Sequence, residues 1–525
     1  MGDYMRITAL NIWGFKKFKE MKIDFNDRFS VIIGENEMGK STILRALDIV
    51  LNQSLFYFND GSLERYINND LAEIFFNSGK MDDLPKIEFE LFLDLEGFPK
   101  AKITDFDGLH YKGGHSGKSE KTGIRFSYEF NTEFSNIVDF AVLAENRMLP
   151  LEYYKSSWNT FEGKSYVRRM APLKMIYLDN ATIKNDVFGG YAKKIYDAKI
   201  SEEKKRALST DFKQAVSKFR KDHDTDLTIE KMKRIGLDSS KTDITKLLDI
   251  YEGDISIQDM GKGKENIVRT EMALNDKLFD LVVIDEPESH LSYTRTRRLI
   301  DSVSETIDGQ VIIASHSSLI VNKLNLKNAI YLSETSAFSL KDLKSQTAKY
   351  FKAIDNLDIL RFILAKKVIL VEGAAEYILM PKIIEKVTGK SMDTFEVDVI
   401  SMGSISYKNY QELAKLLNKK VVVITDNDKK EIDTESMETD KFHVYTDASK
   451  ENYTLEVSLY NKNKTFIQEL YKGRRTKAEY NGEPMDKALA HMLKNKTDVA
   501  LDIEAKLEHL EIPEYICEAI KWIEK

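Results

Sequence analysis

Cysteine is almost absent from this chain of 525 residues, because Cys517 is the only one. A single thiol excludes an intramolecular disulfide framework and a zinc cluster built on cysteines, and it fits a reducing compartment. No apolar run approaches the roughly 18 residues that a membrane span needs. The amino terminus lacks an apolar core followed by a small-residue cleavage site. We therefore expect no signal peptide, no membrane span and a cytoplasmic protein.

The composition is that of an ordinary globular protein, with 42% hydrophobic and 31% charged residues. A chain of this length predicts two or three domains. The net charge of −7 argues weakly against a protein that coats nucleic acid. It does not exclude a nuclease, because acidic metal sites lower the net charge while basic patches meet phosphates. Candidate patches are residues 193–206 and 471–477, for which a solvated helix face or loop is the alternative.

The stretch VIIGENEMGKST places a glycine-rich loop between a strand-like run and a helical pattern. It fits G-x-x-x-x-G-K-[ST], in which backbone N–H groups turn inward around the β-phosphate of a nucleotide. Lys40 would reach the β- and γ-phosphates, and the Ser41 hydroxyl would bind Mg²⁺. We predict ATP and Mg²⁺ (or Mn²⁺) as cofactors. The candidate nucleotide contacts in this loop are Gly34, Asn36, Gly39, Lys40, Ser41 and Thr42.

A second strand-like run, LVVIDEPESHL, ends in two carboxylates. Asp285 would hold Mg²⁺, and Glu286 would orient and polarise the attacking water. His316 ends the next strand-like run, QVIIASH, where it would sense the γ-phosphate. An acidic turn and a structural histidine are the simpler interpretations of these residues. The order of the three motifs favours an ATPase.

The order phosphate loop, DEPE and SH resembles that of ABC-type ATPases, and the start RITALNIWGFKKFKEMKIDF resembles their RecF, SMC and OLD (overcoming lysogenisation defect) branch. The resemblance implies a site completed by a signature loop from a second subunit. The matching stretch is IQDMGKGKEN, with Gly261 and Gly263 approaching a γ-phosphate in trans, although it departs from the usual Ser-Gly-Gly pattern. Residues 186–250 are charged and helix-rich without a strand pattern. They are too short for a coiled-coil arm, so we interpret them as a compact helical or dimerisation element.

The second half of the chain carries a glutamate and then a DxD motif, each after a buried strand pattern. KKVILVEG presents Glu372 at its end, and Glu376 follows one turn later. VVVITDND presents Asp426 and Asp428, two residues apart and therefore on one side of an extended chain. Because the carboxyl ends of parallel strands form one crevice, these carboxylates are expected to converge. Such hard oxygen ligands suit Mg²⁺, Mn²⁺ or Ca²⁺.

This arrangement resembles the Toprim fold of topoisomerases, bacterial primases and OLD nucleases. An ABC-type ATPase followed by Toprim is the arrangement of the OLD family, and the resemblance covers nearly the whole chain. Glu456, in an LE element, matches a later acidic ligand of that family, and Lys496 stands where the family has a lysine near the end. Lys494 is an alternative for the same role, and a plain surface lysine is the simpler interpretation.

The resemblance implies an ATP-regulated, divalent-metal-dependent endonuclease or nickase acting on DNA. Two metal ions would stabilise the attacking and leaving oxygens. The implied catalytic residues are Glu286, Glu372, Asp426, Asp428 and Lys496. The implied metal ligands are Ser41, Asp285, Glu372, Glu376, Asp426, Asp428 and Glu456.

The resemblance also implies partners and a biological setting. It implies a homodimer or higher even oligomer formed through the ATPase domain, with no membrane partner. It further implies a role in prokaryotic defence against phage. An operon-encoded partner would be a helicase-like protein or a reverse transcriptase with its RNA–DNA product.

We expect an α/β fold in which an ABC-type ATPase domain with a helical insertion precedes a Toprim α/β domain. The predicted segments are the ATPase parts 1–185 and 251–336, the insertion 186–250, a helical connector 337–363 and the Toprim domain 364–525. The run KIEFELFLDLEG alternates like a strand of a half-exposed sheet.

Two other functions stay open. One is a RecF-like repair ATPase that loads other proteins and carries a non-cleaving Toprim domain, although three intact carboxylates argue against it. The other is an effector that cleaves RNA, since a two-metal site is indifferent to the sugar. Topoisomerase action needs a nucleophilic tyrosine on a separate domain, and we expect no room for one after residue 525. Primer synthesis usually brings zinc-binding cysteines, so we favour neither of these.

Overall fold

The computed structural model describes residues 5–54, 63–109, 120–180, 190–223, 228–230, 233–234, 243–274, 278–306, 309–354, 358–403, 407–430 and 438–525. Two compact units divide the chain, the first made of Met1–Leu324 and Leu332–Ala337 and the second of Asn325–Tyr331 and Phe338–Lys525. The first unit holds the predicted ATPase segments except for residues 325–331, and the second holds the predicted Toprim segment. No helix in the described part is both long and apolar enough to cross a membrane.

The strands of the first unit form two main sheets and two short hairpins. In chain order they are β1 (Arg6–Phe15), β2 (Phe18–Asp24), β3 (Phe29–Ile33), β4 (Ile87–Asp94), β5 (Asp107–Leu109), β6 (Glu120–Phe130), β7 (Tyr154–Thr160), β8 (Met175–Asp179), β9 (Thr228–Glu230), β10 (Lys233–Arg234), β11 (Tyr251–Glu252), β12 (Ile255–Ser256), β13 (Leu281–Asp285) and β14 (Gln310–Ser315).

The first sheet is antiparallel and has the order β2-β1-β4-β6, with β5 and β7 both pairing with β6. In the second sheet, the strands β3-β14-β13-β8 run parallel. Gln310 is fully buried at the start of β14, where its amide bonds both the N–H and the C=O of Ile7 at 2.9 Å. This side chain therefore supplies the hydrogen bonds that the backbone of Ile7 needs where the two sheets meet.

The parallel sheet positions the predicted ATPase motifs. Its strands are nearly continuous apolar runs, because a parallel sheet is covered on both faces. The register places Ile33 opposite Ser315, and Asp285 opposite both Ala314 and Asp179. The residues that follow these strands therefore meet along one edge of the sheet.

Helices cover the sheets of the first unit and form its insertion. They are α1 (Lys40–Asn52), α2 (Asn69–Ser78), α3 (Lys100–Ile103), α4 (Phe140–Glu145), α5 (Gly190–Lys199), α6 (Glu202–Asp222), α7 (Lys262–Leu274), α8 (Tyr293–Thr306) and α9 (Ser318–Lys323). Two short strands, β15 (Ala329–Leu332) and β16 (Ala337–Ser339), lie where the chain changes from one unit to the other.

The second unit is built on a parallel sheet of the order β18-β17-β19-β20. Its strands are β17 (Lys367–Val371), β18 (Val397–Ser401), β19 (Lys420–Ile424), β20 (Phe442–Tyr445), β21 (Glu479–Tyr480) and β22 (Glu483–Pro484). Its helices are α10 (Ser345–Ile354), α11 (Asp358–Leu364), α12 (Ala374–Thr388), α13 (Met392–Phe395), α14 (Tyr407–Leu416), α15 (Leu455–Lys462), α16 (Lys464–Leu470), α17 (Lys487–Lys494), α18 (Lys496–Glu504) and α19 (Glu514–Glu524).

Two expectations about local structure were wrong. Residues 186–250 do contain strands, because β9 and β10 pair as an antiparallel hairpin. The strand β4 is buried on both faces rather than half-exposed, with Glu88 and Glu90 only 1% and 3% exposed. Arg125 on the neighbouring strand lies 2.7 Å from the Glu88 carboxylate. A cross-strand ion pair thus lets a polar alternation occur in a buried strand.

Candidate nucleotide and metal sites

The glycine-rich loop joins β3 to α1, as the sequence predicts. Gly39 caps the helix with a φ of 95°, a left-handed conformation that favours glycine. A Cβ at this position would also lie 2.4 Å from the Phe18 ring, so no side chain fits there. The helix therefore begins with its N–H groups directed at the loop, where a phosphate binds well.

A cavity of about 330 Å³ opens above this loop. Six of its lining residues are predicted nucleotide or catalytic residues, namely Asn36, Gly39, Lys40, Ser41, Thr42 and Glu286. Lys16 and Lys17, in the turn between β1 and β2, also line it, and neither was predicted as a contact. Three lysines beside one helix N-terminus make this cavity suitable for a polyphosphate.

Lys40 is buried at the base of the cavity, and its ammonium donates to the carbonyl oxygens of Gly34 at 2.9 Å and Glu35 at 3.0 Å. Burial lowers the pKa of Lys40, against the opposing charges of Glu286 and Asp285. The loop thus holds the lysine beside both predicted carboxylates.

Asp285 ends β13 almost fully buried, at 1% exposure. Burial raises its pKa to about 6, partly offset by hydrogen bonds from Ser41 and Tyr177, while the charge of Asp179 adds to the increase. A buried carboxylate in contact with Ser41 fits a Mg²⁺ site, because a cation there would favour the ionised form.

His316 and Glu286 lie together at the same edge of the sheet. His316 Nδ1 is 3.9 Å from a Glu286 carboxylate oxygen and 3.5 Å from Glu288. Glu288 also accepts hydrogen bonds from the His316 N–H at 3.0 Å and the Ser315 hydroxyl at 2.7 Å. Glu288 thus fixes the histidine loop, a role that the sequence did not reveal although the residue stands within the DEPE motif.

Two further residues beside Asp285 were missed. Asp179 is the last residue of β8 and Asn180 follows it, and the Asn180 backbone N–H donates to the Asp285 carbonyl at 3.2 Å. The side-chain amide nitrogen of Asn180, Nδ2, is buried and bonds nothing in the described part of the chain. The signal was available, because MIYLDN is an apolar run ending in polar residues like the other strands.

Gly261 and Gly263 do not line the nucleotide cavity of their own chain. Gly261 directly precedes α7, and a Cβ there would meet nothing within 4 Å. Gly263 packs against the 286–291 turn, since a Cβ there would lie 2.4 Å from the His290 carbonyl oxygen. Close packing against this turn therefore explains the glycine at 263. Of the two glycines, only Gly261 leaves space for a phosphate of another chain's nucleotide.

In the second unit, Glu372 and Asp426 follow the neighbouring strands β17 and β19. The Glu372 carboxylate accepts hydrogen bonds from the Thr425 hydroxyl at 2.8 Å and the Asp426 N–H at 3.0 Å. These bonds tie the two strand ends together. The predicted convergence of Glu372 and Asp426 is therefore confirmed.

Glu376 and Glu456 complete this carboxylate group, which we define as Glu372, Glu376, Asp426 and Glu456. Glu376 is buried in the first turn of α12, where it accepts the Gly373 N–H at 3.1 Å. Glu456 lies in the first turn of α15 and is 3% exposed. From the described residues, no hydrogen bond of good geometry reaches either Glu456 carboxylate oxygen.

The pKa of Asp426 is raised strongly in this group. Burial raises its pKa to about 8, and the charges of Glu376, Glu372 and Glu456 add to the increase. Burial likewise raises the pKa of Glu376. Several buried carboxylates sharing one place are stable only with protons or cations.

Lys496 supplies one cation. Its Nζ lies 3.0 Å from Glu456 Oε2 and forms an ion pair with it. Lys496 is the first residue of α18. Burial alone would lower the pKa of Lys496, but the charges of Glu456, Asp426 and Glu376 raise it. Lys494, the alternative, is exposed at the end of α17 and contacts none of the described carboxylates. The structure favours Lys496.

Asp428 lies differently from the position that its spacing predicted. The strand β19 ends at Ile424, and Asp428 adopts a φ of 49° in the following turn, so the extended-chain argument was wrong. Its side chain is exposed, whereas the intervening Asn427 is buried and bonds the carbonyls of Asp447 and Ser449 at 2.9 Å. Asn427 therefore anchors the turn, and Asp428 stands at the surface.

The donor set of the carboxylate group fits a divalent metal ion. In the described ranges, no three acidic, histidine or cysteine side chains already stand at metal-binding distances. The buried Glu456 Oε1, which accepts no hydrogen bond from the described residues, and the raised pKa of Asp426 nevertheless mark a place with more negative than positive charge. Oxygen ligands of this kind suit Mg²⁺ or Mn²⁺.

Comparisons with known families match three segments. Residues 363–428 match the family "Overcoming lysogenization defect protein-like, TOPRIM domain". Residues 5–141 match the family "AAA ATPase domain", and residues 256–322 match "AAA domain, putative AbiEii toxin, Type IV TA system". No curated protein matches the chain.

Among solved structures, three SMC heads are similar to part of this chain. The SMC head bound to the C-winged helix domain of ScpA shares 16% identity, with a TM-score of 0.36, and the match covers 64% of this chain and 99% of that one. The Pyrococcus furiosus Smc head with an extended coiled coil shares 13% identity at a TM-score of 0.34, and the match covers 67% of this chain and 100% of that one. The Thermotoga maritima SMC head shares 13% identity at a TM-score of 0.28, and the match covers 64% of this chain and 98% of that one. These scores carry no functional conclusion.

The fold and the family matches define a class of protein. It is an α/β protein with an ATPase domain followed by a C-terminal Toprim domain, and together these domains support a nuclease-like ATPase. The OLD-like Toprim domain behind the ATPase domain matches the ATPase–Toprim architecture of the OLD family.

Proposed function

We propose that this protein is an ATP-regulated, divalent-metal-dependent endonuclease that nicks or cuts DNA. The observation that carries the proposal is the carboxylate group at the carboxyl ends of β17 and β19, with Lys496 beside it. A structural ion pair needs one acid, whereas this place gathers four, of which Glu376, Asp426 and Glu456 act on a single lysine. The excess negative charge supports metal binding and therefore chemistry.

In this proposal, the carboxylate group and Asp428 hold Mg²⁺ or Mn²⁺. When bound, the metal would supply the positive charge that favours attack of water on a phosphodiester and departure of its leaving oxygen. Asp428, exposed two residues after Asp426, would complete the ligand set from the surface. Asp426 must lose its proton to serve as a ligand, because a metal binds the carboxylate form.

Lys496 would position the scissile phosphate. The side chain of Lys496 is 44% exposed and that of its partner Glu456 is 4% exposed, so the ion pair links the buried end of the carboxylate group to the surface. The raised pKa keeps it charged at neutral pH. A cation in that place attracts an incoming phosphodiester and offsets charge that develops in the transition state.

ATP would control the arrangement of two chains. Ser41 and Asp285 would hold Mg²⁺, Glu286 would polarise the attacking water and His316 would sense the γ-phosphate. Gly261, open at the start of α7, supports the role of the signature loop in a second chain. The helix α6 has 21 residues and buries none of them, which fits a dimerisation element. We therefore propose a homodimer or higher even oligomer.

The domain order supports a biological role as well. We propose a cytoplasmic effector of prokaryotic defence against phage that acts with an operon-encoded partner, either a helicase-like protein or a reverse transcriptase with its RNA–DNA product. The support is the match to an OLD-like Toprim domain combined with the ATPase domain.

The test uses the full chain with supercoiled plasmid, Mg²⁺ or Mn²⁺, and ATP present or absent. We expect nicked or linear plasmid, and loss of both products in Glu372→Ala. The Lys40→Ala variant then shows whether ATP activates or inhibits cleavage. Intact plasmid under every condition, with RNA cleaved instead, would replace DNA by RNA as the substrate. ATP hydrolysis without cleavage of either polymer would favour a loader of other proteins.

A further inference from the structure

A groove lies at the amino end of the Toprim sheet, away from the carboxylate group. It measures about 1160 Å³ and is bounded by the start of α10, one face of α14 and the chain entering β20. Its lining holds five lysines, namely Lys344, Lys408, Lys415, Lys419 and Lys441, against the two acids Glu412 and Asp440. In a chain with a net charge of −7, this is a local excess of positive charge.

Three of these lysines are available to a ligand. Lys344, Lys408 and Lys415 are exposed, and their ammonium groups form no ion pair within the described part of the chain. Lys408 and Lys415 are seven residues apart on α14 and therefore lie on the same face of that helix. The other two are held by backbone, since Lys419 donates to the Ile363 and Ala365 carbonyls and Lys441 to the Asn418 carbonyl.

The acids do not cancel this charge. Glu412 accepts the Lys344 N–H at 2.7 Å and the Thr347 hydroxyl at 2.6 Å, so it caps the amino terminus of α10. A carboxylate in that place is already paired with the positive end of the helix dipole. Asp440 is exposed at the rim, which leaves the three lysines as the dominant charges.

We infer that this groove binds the phosphodiester backbone of nucleic acid. Lysines and amide side chains are the groups that contact phosphates without reading bases. The lining includes Asn409, Gln411 and Asn418 but no large exposed apolar side chain. A protein partner would need aromatic or aliphatic anchors at the centre of its interface, and the groove offers none of these.

The groove is separate from the cutting site. It lies at the start of β19, whereas Asp426 follows the end of that strand. Five residues at about 3.3 Å each separate the two places by roughly 17 Å. Resting on the proposed function, the inference is that the groove holds nucleic acid flanking the cut, independently of sequence.

The experiment measures binding without cleavage. A fluorescein-labelled 40-base-pair DNA duplex and an RNA duplex of equal length are titrated with the full chain in EDTA, and anisotropy is read at several salt concentrations. Each phosphate contact contributes about 0.9 to the slope of log K against log salt. Changing Lys344, Lys408 and Lys415 to Ala should therefore lower the slope by about 2.7 and weaken binding about tenfold or more.

Two matched variants control for folding and for net charge. Changing the same three lysines to Arg keeps the charge and should retain binding within about threefold. Changing Lys80, Lys102 and Lys121, three exposed lysines of the first unit, to Ala removes the same charge elsewhere and should leave the slope unchanged. Thermal melting of every variant checks that the exposed substitutions preserve the fold.

Three results would overturn the inference. The first is a wild-type chain that binds neither duplex, and the second is a groove variant with an unchanged salt slope. The third comes from the same titration with polyglutamate, if the groove variant no longer binds polyglutamate but still binds DNA. The last would assign the groove to an acidic protein. If the wild-type chain cleaves plasmid but the groove variant has an unchanged salt slope, the proposed groove is rejected and the proposed nuclease stands. If the groove variant has a lower salt slope but the wild-type chain never cleaves, the groove stands and the nuclease is rejected.

Discussion

Lys496 Nζ lies 3.0 Å from Glu456 Oε2, which joins the first turns of α18 and α15. The two helices begin at residues that are 41 positions apart in sequence, and both first turns meet the ends of β17 and β19 through the shared carboxylates. This pair places Lys496, whose charge acts against the raised pKa of Asp426, at the edge of the carboxylate group. Its position suggests that Lys496 serves the site and not only the fold.

Replacing Lys496 by Ala should lower plasmid cleavage by about 100-fold or more, the typical cost of removing one preorganised charge from a site. Lys494→Ala is the matched control, because Lys494 is exposed two residues earlier and should stay within twofold of wild type. Initial rates of nicking measure both. Equal losses in the two variants would contradict the assignment of Lys496.

Asp426 should make the metal-free protein less stable as pH rises. Its ordinary pKa is 3.8, and burial raises that of the folded chain to about 8. Between these values the folded chain holds a proton that the unfolded chain has lost, so the free energy of unfolding falls from about pH 4 to about pH 8. Asp426→Asn should remove this dependence and stabilise the chain in EDTA at pH 8.5 by about 1–3 kcal/mol.

Mg²⁺ should reverse that ranking. A ligand that binds only the folded state at 100 times its Kd stabilises by about 2.7 kcal/mol. Wild type should therefore melt higher when Mg²⁺ is added at pH 8.5, and Asp426→Asn should respond much less. Thermal melts across pH, in EDTA and in Mg²⁺, measure both effects. A stability difference that stays constant with pH would show that Asp426 does not titrate as described.

Asp428 should behave unlike Asp426 when changed to Asn. Because its side chain is exposed, Asp428→Asn should shift the melting temperature in EDTA by less than about 2 °C, the effect of an ordinary surface change. Cleavage should still fall by at least tenfold if Asp428 completes the metal ligands. Unchanged cleavage would remove Asp428 from the ligand set and leave the buried carboxylates alone.

Glu286→Gln should separate ATP binding from hydrolysis. The Gln side chain keeps an oxygen for the Ser289 hydroxyl, which lies 2.9 Å from Glu286 Oε2, but it cannot take a proton from water. We expect phosphate release to fall by about 100-fold or more while labelled ATP still binds. Lys40→Ala should lose binding as well, and the exposed Glu305→Gln should change neither. Normal hydrolysis by Glu286→Gln would move the water-polarising role to another residue.

The sequence was most informative where one short segment contains a complete binding motif. The loop from Gly34 to Ser41 sits between β3 and α1 as predicted, because its glycines and the apolar runs on both sides are local features. The DEPE and SH motifs, and the convergence of Glu372 with Asp426, follow equally from parallel strands ending at one edge.

Other features depended on distant partners, and there the sequence misled. Glu88 alternates with apolar neighbours, and its burial depends on partners such as Arg125 on the next strand. The spacing of Asp426 and Asp428 assumed an extended chain, but the strand had already ended at Ile424. Periodicity reports which face a residue would take in a regular element, and it does not report where that element stops.

From the sequence alone came the identity of both chemical devices, since phosphate loops and strand-end carboxylates are written in consecutive residues. Tertiary structure decided how charged each acid is and which lysine faces it. Asp426 owes its pKa of about 8 to burial and to three acids brought in by other elements. Lys496 and Lys494 are two residues apart, yet only the turn between α17 and α18 puts the first beside Glu456. Electrostatic energy depends on distance in space and on solvent, and neither is recorded along the chain.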